Sequence, residues 1–310
     1  MTIDPVDAVV SRIKKVYGTW SRNTTVAQMR ADWDTLFQRN LPAAVIEQVT
    51  VPTPAGDLGA QWIAGPDARV DKAIVYFHGG GFQVGSVESH RELMYGIAVA
   101  SGCRVLGVDY RLAPAHRFPA ALHDALAVYD WLIAQGFKAH ELAFAGDSAG
   151  GGLVLSMLLS LRDSGRSLPG AAALLSPWTD LTASGESYRT RADADPIHQR
   201  PMIVAMARNY LGADHPPGDS QVSPLFAELS GLPPLLIQVG DRETVLSDST
   251  EFAGKARNAG VDVSLQVWPG MIHVFQQFPA ELPEAGEAIK AIGDFFTRHL
   301  DLRKVESTRA

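Results

Sequence analysis

The stretch that decides the fold is Leu142-Ala143-Phe144-Ala145-Gly146-Asp147-Ser148-Ala149-Gly150-Gly151-Gly152. The apolar run Leu142–Ala145 reads as a buried strand, and Ala149 to Arg162 reads as a helix. Between them, Gly146-Asp147-Ser148-Ala149-Gly150 matches G-x-S-x-G. That pattern suits a serine on a tight, strained strand-to-helix turn, where the residues two positions away must be small. The helix that follows aims its N–H groups and positive dipole end at the same point. The motif alone is weak, because Gly, Ser and Ala are common. An ordinary turn serine is the bland alternative, and context has to separate the two.

Outward from this stretch the chain alternates. Apolar runs recur at Ala73–Phe77, Arg104–Val108, Ala171–Leu175, Leu235–Val239 and Val263–Trp268. Helical segments lie between them at His90–Ala100, Ala121–Gln135, Ser247–Ala259 and Glu284–Leu300. This alternation predicts a buried, mostly parallel sheet covered on both faces, an α/β fold. Upstream, Val45–Val51 and Leu58–Ala64 flank Pro52, Pro54, Gly56 and Asp57, which predicts a hairpin. Before it, Val6–Tyr17 and Val26–Phe37 carry apolar residues near helical spacing, and Pro42 closes the region. From Pro177 to Pro233, more than 50 residues lack a strong strand, although Met202–Leu211 is helical. That segment reads as an insertion over the sheet's edge, packed with the N-terminal helices.

Each apolar run ends in a conspicuous cluster. These are His78-Gly79-Gly80-Gly81-Phe82, Asp109 to Pro114, Gly146 to Gly150, Ser176-Pro177-Trp178, Gly240 to Glu243, and Pro269 to His273. Ligands of open α/β sheets bind outside the carboxyl ends of the strands, so the clusters point to one active site. In the first cluster, glycines allow backbone N–H groups to approach a developing oxyanion. Loss of one such donor costs roughly 3–4 kcal/mol of transition-state stabilisation. Gly80 and Gly81 are the candidate donors, with Ala149 as the third and Gly79 as a substitute. The plain alternative is a flexible turn.

A serine nucleophile needs a base. Of nine histidines, His273 lies past the last strand, in a loop headed by Pro269-Gly270. His78 reads as a structural holder of the glycine loop, and His198 and the others lack such a context. The acid must accept from the imidazole Nδ1–H. Asp241, Glu243 and Asp248 compete. Asp248 reads as the start or cap of the next helix. Asp241 and Glu243 stay level on this reading.

Composition narrows the classes. The 310 residues are 46% hydrophobic and 20% charged, ordinary globular usage that excludes disorder and fibrous repeats. A net charge of −7 disfavours a nucleic-acid backbone as partner. A single cysteine, Cys103, allows no internal disulfide. The opening Met1-Thr2-Ile3-Asp4-Pro5 shows no secretory pattern and no run of 18 apolar residues exists, so the expectation is a cytoplasmic protein without a membrane span. Neither Gly79–Gly81 nor Gly150–Gly152 fits a nucleotide-binding pattern.

Together, His78–Phe82, Asp109–Pro114 and Gly146–Gly150 resemble the hormone-sensitive-lipase family of esterases (bacterial family IV). The resemblance runs from about Ala73 to His299 and takes in Phe118-Pro119-Ala120-Ala121, Ser176-Pro177-Trp178 and Trp268–His273. It implies an eight-stranded α/β-hydrolase fold, residues 43–310, with a helical cap from residues 1–42 and about 180–212. It implies Ser148 as nucleophile, His273 as base and Glu243 as acid. Members carry D-P-L-x-D or E-x-L-x-D at the acid, and Glu243 to Asp248 follows the second with one extra residue. The implied activity is hydrolysis of a small-molecule ester with a short acyl chain, roughly acetyl to hexanoyl, without cofactor or metal. A homodimer through edge strand 263–268 is a further expectation.

The same family pattern makes Asp109, Arg111 and Asp124 a buried polar scaffold behind the glycine loop, and Asp147, by its place beside the serine, reads as a support for it. Phe82 and Trp178 are the expected pocket walls. Trp20, Trp33, Phe37, Met202, Met206 and Tyr210 read first as the cap's own core, with the lining of an acyl or alcohol pocket as the second reading. Two alternatives use the same residues. One is an amidase or lactonase with this triad; the other is a non-catalytic small-molecule receptor that has kept the pocket.

Overall fold

The computed structural model describes residues 4–21, 23–37, 41 and 43–302. Pro42 and the opening Met1-Thr2-Ile3 lie outside the described residues. The first two helices are α1 (Pro5–Tyr17) and α2 (Val26–Phe37). Asp4 caps α1 by accepting the Val6 N–H at 2.8 Å. Val6, Val9, Val10 and Ile13 form its buried stripe.

The expected hairpin follows as β1 (Val45–Thr53) and β2 (Gly56–Ala64). The six apolar runs become β3 (Arg69–Phe77), β4 (Cys103–Val108), β5 (Leu142–Asp147), β6 (Ala171–Leu175), β7 (Leu235–Gly240) and β8 (Val263–Trp268). β3 starts four residues before its apolar run. Its first residues are exposed (Val70 is 65% exposed) and pair through an irregular register, so they carry no apolar signature. The sheet order is β1-β2-β4-β3-β5-β6-β7-β8. β2 runs antiparallel to both its neighbours, and every pair from β4 to β8 is parallel.

Side chains alternate between two cores, as the strand period demands. Val75 and Phe77 face α4 (Ala120–Ala134), α5 (Ala149–Asp163) and α8 (Leu246–Asn258). Ile74 and Tyr76 face α3 (Val87–Ser101) and α9 (Pro283–His299). Burial of each such aromatic or branched side chain contributes about 1.5–3 kcal/mol. With both faces covered, the open edge for chemistry is at the carboxyl ends of the strands. Among the described residues, no helix is long and apolar enough to cross a membrane.

A third core lies beyond the two that flank the sheet, with Trp268 of β8 packed against it. It joins α1 and α2 to Met271, Ile272, Phe275 and Phe278, in the loop after β8, and Ile197 packs against it. The N-terminal helices therefore bear on the loop that carries His273. The long segment after β6 holds the short α6 (Ser187–Thr190) and α7 (Arg200–Leu211), and no strand. It is tied to the residues after β7: Asp248 Oδ1 accepts the Thr179 and Asp180 N–H groups, each at 2.9 Å.

Candidate active site

Ser148 sits between β5 and α5 at φ 51°, ψ −119°. This conformation is closed to most side chains and costs about 1–3 kcal/mol. Its neighbours show why the pattern needs glycine. A Cβ on Gly146 would stand 2.6 Å from the Gly150 carbonyl carbon, and one on Gly150 would stand 2.0 Å from the Phe77 carbonyl oxygen. The Ser148 N–H donates to Leu175 O at 2.8 Å, and Ser148 O accepts the Trp178 N–H at 2.9 Å. The turn is thereby held by the end of β6.

His273 reaches Ser148 from the loop after β8. Its Nε2 lies 2.9 Å from Ser148 Oγ, and its Nδ1 lies 2.7 Å from Glu243 Oε2. A carboxylate only accepts, so Nδ1 carries the proton and Nε2 is left to accept from the serine. Glu243 is fully buried, where an unpaired carboxylate would be costly. Its other oxygen accepts Ser176 Oγ–H at 2.7 Å and the Gly240 N–H at 2.5 Å. Burial opposes charge on His273. The Glu243 carboxylate, with Asp195 and Asp147 farther off, outweighs it and raises the imidazole above its ordinary value.

The three competing carboxylates have three different partners. Glu243 meets the imidazole. Asp241 accepts the Gly270 N–H at 2.8 Å in an exposed turn. Asp248 is not the cap of α8: Val245 holds that position, and Asp248 is buried inside the first turn. It serves the two backbone donors at Thr179 and Asp180 instead. Burial and nearby Asp180 push its carboxyl up to about 8.

Behind the glycine loop stands a buried polar group. Asp147 Oδ1 accepts the Gly79 N–H at 2.9 Å and Tyr76 O–H at 2.7 Å. His90 Nε2 lies 3.4 Å from the same oxygen. Tyr110 O–H donates to His78 O at 2.7 Å, and His78 Nδ1–H donates to Gly79 O at 2.8 Å. Burial, together with His90, takes His78 down to about 3 and keeps it neutral. The expectation for Asp109, Arg111 and Asp124 needs correction. Asp109 accepts the Val87 N–H at the start of α3, and Arg111 pairs with Asp124 at 2.8 Å to fasten the next loop onto α4. Asp147 and Tyr110, in contrast, hydrogen-bond directly to the glycine loop.

Gly80 and Gly81 adopt φ 109° and 62°. A Cβ on Gly80 would lie 2.2 Å from Val84 O, so the loop closes only without side chains. Among the described residues, no hydrogen bond takes up either N–H. The Ala149 N–H opens α5, where first-turn donors have no intrahelical acceptor.

Gly80, Gly81, Ser148 and His273 line one cavity of about 250 Å³. Trp178 lines it as expected. Phe82 does not: it turns away and stacks face to face on Tyr210, with ring centroids 3.8 Å apart. Trp20, Trp33 and Phe37 both pack together with Tyr17 and line the cavity. Met202 and Met206 line it from α7, whereas Tyr210 does not. Three residues without an assigned role enter the site: Ser176, Asp195 and His198. Ser176 had a signal, its place at a strand end. His198 and Asp195 had none.

The comparisons agree with this architecture. A family model described as alpha/beta hydrolase fold matches residues 74–277. An acetyl-hydrolase of Streptomyces hygroscopicus is 38% identical over 278 residues, 89% of this chain and 91% of its own length. An esterase of Acinetobacter venetianus is 40% identical over 235 residues, 76% of this chain and 77% of its own length. The crystal structure of an esterase from the bacterial hormone-sensitive lipase (HSL) family superposes with TM-score 0.91 at 41% identity, over 97% of this chain and all of the other. That of EstE5 soaked with p-nitrophenyl butyrate gives TM-score 0.86 at 42% identity, over 94% and 98%.

Proposed function

The chain belongs to the hormone-sensitive-lipase family of α/β-hydrolase esterases, and from that premise we propose that Ser148, His273 and Glu243 are its catalytic triad. It is a carboxylic ester hydrolase. Ser148 Oγ attacks the ester carbonyl carbon while His273 Nε2 takes its proton. Charge that develops on the carbonyl oxygen meets the N–H groups of Gly80, Gly81 and Ala149. His273 returns the proton to the departing alkoxide, then takes one from the water that attacks the acyl-serine. The Glu243 carboxylate holds the imidazole tautomer throughout. What supports this reading is the unbroken hydrogen-bonded chain Glu243–His273–Ser148.

Residues 1–42 and 180–212 act as the cap, since both contribute side chains to the cavity over Ser148. The acyl group is short, roughly acetyl to hexanoyl. A second copy pairs along β8, which ends the sheet and leaves Val267 43% exposed. A monomer mass by light scattering removes the dimer. Hydrolysis of p-nitrophenyl esters from C2 to C16, beside Ser148→Ala, tests the rest. Turnover falls with chain length and is lost in the variant; no turnover of any ester by folded protein overturns the reading.

A further inference from the structure

His198 belongs to no motif, yet its ring lies 4.5 Å from that of His273, edge to face at 71°. It lines the same cavity as Ser148. Its backbone is pinned. Asp195 Oδ1 accepts the Ile197 and His198 N–H groups, each at 2.9 Å. Asp195 Oδ2 accepts the Thr244 N–H at 2.8 Å and Thr244 Oγ1–H at 3.0 Å. Thr244 follows Glu243. One buried carboxylate therefore fastens the loop of His198 to the loop of Glu243, and His198 keeps a fixed place beside His273.

The ring's polar atoms are unequal. Nδ1 is buried without a partner among the described residues. Nε2 has no partner among the described residues either, but it is not among the buried unpaired atoms, and His198 lines the cavity. A proton on Nδ1 would leave a buried unpaired donor. A proton on Nε2 leaves only an unpaired lone pair there, the cheaper omission. Burial, and His273 beside it, take His198 down to about 4 against the pull of Asp195. The ring is then neutral at ordinary pH and offers the cavity one N–H donor. The cavity wall is mainly apolar, with Met202, Ile203 and Val274 among its lining.

We propose that His198 is a specificity residue whose Nε2–H donates to an acceptor oxygen in the alcohol part of the ester, on the carbon next to the one bearing the scissile oxygen. This rests on the triad reading. In that reading His273 Nε2 delivers a proton to the leaving oxygen, and the ring 4.5 Å from His273 is assigned to the leaving-group side. The favoured substrates are esters of 1,2-diols and of 2-alkoxyethanols, in which a vicinal hydroxyl, ether or acyloxy oxygen accepts from that N–H. Such a lone donor in an apolar wall discriminates by direction. It rewards an oxygen in place and is left unpaired by a methylene.

The test compares kcat/KM for 2-methoxyethyl butyrate and n-butyl butyrate, which differ by one oxygen for one methylene. The oxygen also alters intrinsic leaving-group reactivity, so the reading is the change in this ratio between wild type and variants. His198→Phe lowers the ratio roughly 3- to 10-fold, the size of one neutral hydrogen bond. His198→Leu does the same and serves where the Phe variant does not fold. His198→Gln, which keeps an N–H donor, retains more of the ratio than either. A ratio equal in wild type and a folded donor-free variant overturns the proposal. Ser148→Ala is run alongside: turnover of both esters surviving in it would instead sink the triad reading.

Discussion

Ser176 Oγ donates to Glu243 Oε1 at 2.7 Å, on the oxygen opposite the one that faces His273. The same hydroxyl lies 3.3 Å from the Val274 N–H, which donates to it. One side chain at the end of β6 thus joins Glu243, which follows β7, to the residue after His273. The Glu243 carboxylate is held from three strand ends, which is a tertiary property and not a local one.

Ser176→Ala removes a hydrogen bond to a charged group, worth about 1.5–3 kcal/mol. The expected result is a kcat lowered roughly 10- to 100-fold with KM nearly constant, because Ser176 acts through Glu243 and not on substrate. Steady-state kinetics on a p-nitrophenyl ester reads the split. An unaltered kcat would contradict it.

Glu243→Gln places an amide where the imidazole Nδ1–H needs an acceptor, and a loss of roughly 10³- to 10⁴-fold in kcat is expected. Asp241→Asn loosens only the Gly270 turn and stays within a few fold of wild type. Reversed ranking of the two variants would assign the acid to Asp241.

Gly80→Ala and Gly81→Ala differ in what their methyl groups meet. The first meets backbone, at Val84 O, and disturbs a donor worth roughly 10²- to 10³-fold in kcat. The second meets Met206 Sδ at 2.6 Å, the end of a flexible side chain. Gly81→Ala is therefore the milder, and Met206→Ala added to it restores part of the rate. Equal losses with no rescue would mean that Met206 does not set the limit.

The pH profile of kcat/KM follows from the upward shift of His273. The ring must be neutral to accept the Ser148 proton, so activity rises with pH through its ionisation. The midpoint lies above the ordinary value of 6.5, because Glu243 outweighs burial. A midpoint at or below 6.5 contradicts the electrostatic picture.

Asp248 makes stability pH-dependent. Its folded value of about 8 stands above the ordinary 3.8, so the folded state keeps a proton that the unfolded chain loses between them. That contribution is complete at low pH and is lost as pH rises toward 8. Asp248→Asn keeps an oxygen for the Thr179 and Asp180 N–H groups and does not titrate. The Tm of this variant gains on wild type across that window and then levels, as thermal unfolding reads. A constant difference would refute the shift.

The sheet was legible in the sequence because parallel strands buried on both faces leave continuous apolar runs, as at Leu142–Ala145 and Ala171–Leu175. Strand ends carrying Gly and Ser marked the carboxyl edge. What stayed illegible depends on contacts between distant segments. Glu243 and Asp241 share one turn, and only the direction of each side chain separates them. Asp248 resembles a capping residue until the insertion presents two backbone donors to it. Phe82 follows the glycine loop, yet its stacking on Tyr210 comes from α7. His198 reaches the site because Asp195 binds its loop to Thr244, and no local pattern records that contact.

The most direct measurement is labelling with a fluorophosphonate, followed by location of the adduct by peptide mass spectrometry. One adduct per chain on Ser148, with ester hydrolysis lost in proportion, is the predicted result. Loss of hydrolysis with the adduct elsewhere, or full hydrolysis by protein modified at Ser148, would contradict Ser148 as the nucleophile.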